Sequence, residues 1–110
     1  MLDTETAIKK AKQYAEEVEK ILNPKAIVLF GSYARGTAKA NSDIDIAVIL
    51  DDFTGDFLEV SKLLYKLRRN ISSDIEPVLL DLAHDKSGFV AEVLKTGRLL
   101  STVPCDGIQN

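Results

Sequence analysis

Hydrophobic and polar residues recur with a helical period near the start of the chain. Ala7, Ile8, Ala11, Tyr14, Ala15, Val18, Ile21 and Leu22 return every three to four positions, while Lys9, Lys10, Lys12, Glu16, Glu17 and Glu19 fill the other face. This predicts an amphipathic helix capped by Asp3 or Thr4. Asn23-Pro24 ends it, because the residue before proline is pushed out of the helical region. Residues 26–30, AIVLF, are a continuous apolar run, expected of a strand buried on both faces. Residues 31–42 read as a loop with room for one helical turn, 43–50 as a second strand, and 51–56, with Gly55, as a turn. Phe57, Val60, Leu64, Leu67 and Ile71 define a further amphipathic helix, whose outer face is basic through Lys62, Lys66, Arg68 and Arg69. A third strand is expected over 75–80. Phe89, Val90, Val93 and Leu94 mark a last helix, stopped by Gly97 in the C-cap position, and 98–103 a short edge strand. This order implies an α/β (α+β) fold, a small mixed β-sheet flanked by helices. The expected domain spans 1–103, with 104–110 (PCDGIQN) as a flexible tail.

One stretch breaks the local rules. In GSYARGTAKANSDIDIAV (31–48) the apolar strand runs into a glycine-flanked polar loop, and two aspartates then stand in the second strand. Aspartate is a poor strand former, and sequences violate local preference mostly at functional sites. Strand side chains alternate faces, so Asp43 and Asp45 point the same way while Ile44 and Ile46 point into the core. Two carboxylates on one face repel unless a cation lies between them, and magnesium is normally held by one or two carboxylates together with phosphates and water. Gly31 and Gly36 free the loop of side-chain crowding, and the Ser32 hydroxyl stands beside backbone N–H groups suited to a phosphate chain. This is not the common ATPase loop, since no lysine follows the second glycine.

Composition narrows the classes. One domain is expected of 110 residues. Fourteen Lys and Arg against seventeen Asp and Glu leave a net charge of −3, which argues against direct nucleic-acid binding driven by phosphate neutralisation and suits a cationic cofactor. The single cysteine, Cys105, has no internal partner, which points to a reducing compartment. The chain shows no signal-peptide pattern and no apolar run of membrane-spanning length, so a cytoplasmic location away from membranes is expected.

Gly31-Ser32, Ala34-Arg35-Gly36 and Ser42-Asp43-Ile44-Asp45 together resemble the signature of the DNA polymerase β-like nucleotidyltransferase superfamily, and of its minimal, single-domain branch in particular. The resemblance covers the chain from the first helix to about Leu100. It implies metal-dependent transfer of AMP from ATP to a hydroxyl. Gly31 and Ser32 would hold the triphosphate with Gly36 in the same loop, and Arg35 would steady that loop or contact phosphate. Asp43 and Asp45 would ligate two Mg²⁺ ions. A third carboxylate is expected on a later strand. Glu76, in SDIEPVLLD, is the candidate, with Asp74 on the same face as the alternative and Asp81 facing away. Pro77 restricts that strand to an edge or a bulge.

Minimal nucleotidyltransferases typically pair with a small helical HEPN-type protein as toxin and antitoxin. The resemblance therefore implies a tyrosine of such a partner as acceptor and an antitoxin role; homo- and hetero-oligomers both stay open. The competing reading is an antitoxin or interaction protein that works by binding alone. Elsewhere the plainer reading is taken: the basic cluster Lys62, Lys66, Arg68 and Arg69 as a solvated helix face, Tyr33 as a loop aromatic, His84 as part of a turn, and Cys105 without a role.

Overall fold

The sheet has four strands in the order β3-β2-β1-β4, built from β1 (Ala26–Phe30), β2 (Ile44–Leu50), β3 (Ile75–Asp81) and β4 (Arg98–Thr102). In this computed structural model, residues 4–36, 43–51, 53–85 and 87–102 are described, with Thr4, Arg35, Ser101 and Thr102 described by their backbone alone. β1 runs antiparallel to both β2 and β4, while β2 and β3 are parallel. Parallel neighbours need a crossover, and α3 (Phe57–Leu67) supplies it. Its first turn is capped by Asp56, whose side chain accepts from the Glu59 N–H at 3.2 Å. Pro77 sits in β3, an edge strand, where its missing N–H is tolerated.

Helices cover the two faces of the sheet unequally. On one face α1 (Thr4–Ile21) and α3 pack Ala7, Ala11, Tyr14, Val18 and Leu64 against Ile27, Leu29, Ile44, Ile46, Val48, Ile75 and Leu79. On the other, α4 (Phe89–Thr96) alone sets Val90 and Val93 on Val28, Ala47 and Ile49. The Asp85 carboxylate accepts from the Val90 and Ala91 N–H groups and so holds the start of α4. The even-numbered side chains of β2 thus fill the larger core. The odd-numbered ones lie under α4 only at Ala47 and Ile49.

Boundaries differ modestly from expectation. The loop after β1 contains the one expected turn, α2 (Ser32–Arg35). The helix expected to carry Ile71 ends at Leu67 and tightens into a 3₁₀ turn over Arg68–Asn70. Thr4 is the first helical residue of α1, whereas Asp3 and the expected 104–110 tail lie outside the described residues. Gly97 does stand at the end of α4, but its backbone is extended (φ −85°, ψ 175°), not left-handed. A Cβ there would lie 2.6 Å from the Val93 carbonyl oxygen and 2.9 Å from that of Leu29, so close packing on β1 is what requires glycine. Among the described residues, no helix is long and apolar enough to cross a membrane.

Tyr14 ties the two helices of the larger face together. Fully buried on α1, it donates its hydroxyl to the Leu64 carbonyl oxygen of α3 at 2.6 Å. Burial raises its pKa well above the usual 10.0. Tyr14→Phe, which removes only this bond, is expected to lower stability by about 1 kcal/mol, seen as a lower urea midpoint at unchanged slope. The sign with pH follows from the raised folded-state value. The contribution is whole below pH 10.0 and lost as the pH climbs from there, since the unfolded chain ionises this group first. That alkaline loss should shrink in Tyr14→Phe.

Candidate active site

β1 ends, and β2 and β3 begin, at the same edge of the molecule. Phe30 at the end of β1 pairs with Asp45 near the start of β2, and Asp45 pairs in turn with Glu76 near the start of β3. Directly paired residues of neighbouring strands share a face, so Asp45 and Glu76 project from the side that α4 covers. Asp43 shares the parity of Asp45, one residue before the strand. It is exposed and Asp45 half-buried, while Ile44 between them is fully buried, as the alternation predicts.

Gly31 follows directly on β1 with φ 76° and ψ −152°, a region that essentially only glycine enters. A Cβ at this position would collide with Oδ2 of Asp45 and lie 3.1 Å from its Cγ. The Asp45 carboxylate therefore occupies the space that a side chain would fill, directed at the Gly31-Ser32 turn. Ser32 opens α2 and is half-buried. Gly36 closes α2 in the left-handed conformation (φ 75°, ψ 19°), its N–H donating to the Ser32 carbonyl oxygen, with nothing within 4 Å of a hypothetical Cβ. The Arg35 side chain and Ser42 lie outside the described residues.

Glu76 is half-exposed, and its carboxylate is engaged. Tyr65 of α3 donates its hydroxyl to one oxygen at 2.9 Å, and Arg68 Nη1 stands 3.5 Å from the other. Arg68 is fixed in turn by donating to the Ile75 carbonyl oxygen at 2.8 Å, and its guanidinium lies 5.0 Å from the centre of the Tyr65 ring. The bond to Glu76, then burial, raises the Tyr65 pKa and keeps its hydroxyl a donor. Among the described residues, no three His, Cys, Asp or Glu side chains stand close enough to hold a metal ion. The expected trio is brought to one sheet edge by register, but Glu76 is turned to α3. The donors present, hard carboxylate oxygens on one face with Asp45 set against the Gly31 backbone, do suit magnesium.

Asp74, the alternative third carboxylate, is exposed and bonded to Ser72, and its carbonyl accepts from the Ile44 N–H. Asp81 is structural. It accepts from the Phe53 and Ala83 N–H groups and lies 3.2 Å from His84 Nδ1, which leaves His84 in a turn as expected. Tyr33 departs from expectation. On α2 it is a core residue, only 4% exposed, and its hydroxyl has no hydrogen-bond partner among the described residues. Reading the sequence also missed Tyr65 and Arg68 as partners of Glu76. The one available signal was their helical i,i+3 spacing.

The family model described as Polymerase beta, Nucleotidyltransferase matches residues 9–103. The chain belongs to this nucleotidyltransferase family. It is 40% identical over 74 residues to the protein adenylyltransferase MntA of Shewanella oneidensis, covering 67% of this chain and 51% of that protein. The chain thus spans about half the length of that curated relative. Among solved structures, it resembles a toxin-antitoxin with AMP-PNP at 31% identity and a TM-score of 0.57, covering 96% of this chain and 77% of the other. It also resembles the Shewanella oneidensis complex of a tri-AMPylated HEPN toxin with its MNT antitoxin, at 26% identity and a TM-score of 0.59, covering 87% and 73%.

The two glycines of the loop should behave differently. Gly36→Ala is expected to cost about 1 to 2 kcal/mol of stability for its left-handed backbone alone. Gly31→Ala is expected to cost more and to displace the Asp45 carboxylate. Thermal unfolding should separate the two variants, with Gly31→Ala melting at the lower temperature.

Proposed function

We propose that this nucleotidyltransferase transfers AMP from ATP to a tyrosine hydroxyl of a HEPN-type toxin and so acts as an antitoxin, in a reducing, cytoplasmic setting. The observation that carries the reading is the Asp45 carboxylate packed over Gly31, with Glu76 in register on the next strand. Support comes from the relatives: one is named a protein adenylyltransferase, and another resembled structure holds an AMPylated HEPN toxin.

In this reading the triphosphate lies along the Gly31-Ser32 turn beside the Asp45 carboxylate, with Arg35 and Gly36 completing the loop. Asp43, Asp45 and Glu76 would hold two Mg²⁺ ions. The chemistry such ions would supply is neutralisation of triphosphate charge and stabilisation of the entering and leaving oxygens. Glu76 joins the aspartates by turning its side chain from Tyr65 and Arg68. A carboxylate at this edge takes the proton of the acceptor hydroxyl. The acceptor oxygen bonds to the α-phosphorus of ATP, the bond from that phosphorus to the bridging oxygen breaks, and pyrophosphate carries away the electron pair.

Asp43→Asn and Asp45→Asn are each expected to cut transfer of labelled AMP by about 100-fold or more, a loss of roughly 3 kcal/mol of transition-state stabilisation. Undiminished transfer in either variant would refute the reading. The engagement of Glu76 by α3 favours a second reading, an antitoxin that neutralises by binding alone. An Asp43→Asn chain that still neutralises its toxin in growing cells would select it.

A further inference from the structure

The outer surface of α3 carries a feature that nucleotide transfer does not use. Leu58, Lys62, Tyr65, Lys66, Arg68 and Arg69 line a groove of about 590 Å³. Leu58, Lys62, Tyr65 and Arg69 follow one another at helical spacing, so they form one stripe, opposite the buried Leu64. The stripe is not a simple solvated face. Leu58 is 63% exposed and Tyr65 41%, so large apolar surface is interleaved with the cations. Lys62 has a loose pair with Glu59 at 3.8 Å, whereas Lys66 and Arg69 have no ion-pair partner among the described residues. Four of the fourteen basic residues of a chain with net charge −3 thus gather at one groove.

The groove also touches the site. Tyr65 and Arg68 both line it and both contact Glu76, so a chain lying along the stripe runs beside the third carboxylate.

We propose that this groove docks the protein that receives AMP, through an acidic segment bearing apolar side chains. Carboxylates of that segment pair with Lys66 and Arg69, and an apolar side chain covers Leu58 and the Tyr65 ring. The inference rests on the reading of a protein acceptor. A nucleic acid is the poorer occupant, since phosphates gain nothing from Leu58 and a long polyanion meets an overall acidic chain.

Fluorescently labelled poly(Glu,Tyr), a random copolymer of glutamate and tyrosine, is the probe, with binding read by anisotropy. The wild-type chain should bind it at about 50 mM salt and lose it at about 300 mM. The double substitution Lys66→Glu/Arg69→Glu should weaken binding about tenfold or more. Lys9→Glu/Lys12→Glu, an equal charge reversal on the exposed face of α1, should leave it unchanged. Equal weakening by the two double variants overturns the proposal, as does tighter binding of labelled poly(U) than of the copolymer. Titration calorimetry with Mg²⁺ and ATP separates this result from the transfer reading. Lys66→Glu/Arg69→Glu should take up ATP as the wild type does. A wild-type chain that binds the copolymer but no ATP sinks the transfer reading and leaves the groove standing.

Discussion

At the end of β1 the chain has no side chain, and the carboxylate of Asp45 occupies the space that one would fill. This close approach fixes much else. It requires glycine at 31 for two independent reasons, the positive φ and the missing Cβ, and it brings an acid from one strand onto the backbone turn that follows its neighbour. The antiparallel pairing of β1 with β2 makes the approach possible, because Phe30 and Asp45 are direct partners. The turn and the acid are therefore one unit, joined by the pairing of β1 with β2.

The unequal cover of the two faces explains why acids are tolerated there. α1 and α3 seal one face with a large apolar cluster, and Ile44 and Ile46 anchor β2 in it. α4 covers the other face only over Val28, Ala47 and Ile49. Asp43 and Asp45, at the open end of β2, keep contact with water while the residues between and after them are buried. A charge placed under α4 would meet the full cost of desolvation. The polar site and the smaller core share one face by dividing its length.

Glu76 connects this edge to α3. β3 is an edge strand, so nothing beyond it prevents a long side chain from reaching the helix on the opposite face, and Tyr65 and Arg68 meet it there. The ion pair is partly exposed and contributes little to stability by itself. Its consequence is geometric: the carboxylate, the Tyr65 ring and the cationic stripe of α3 form one continuous surface.

Much was legible from local order. The apolar period of α1, the continuous run of β1 and the same-face spacing of Asp43 and Asp45 depend only on neighbours in the chain, and each element formed where that order put it. The motif around Gly31 was legible for the same reason, being confined to a few consecutive residues. Contacts between distant segments were not. Tyr33 looked like a loop residue because its loop is polar, yet α2 turns it into the core. Gly97 was legible as the C-cap of α4, but not its extended backbone or its closeness to β1. Which residue lies in register with Asp45 was not legible, because register belongs to the pairing of distant strands; the structure pairs Glu76 with Asp45. Tyr65 and Arg68 meet Glu76 only once α3 is laid against β3. Helical and strand periods are written in adjacent residues, whereas the partners of a side chain are decided by how the layers pack.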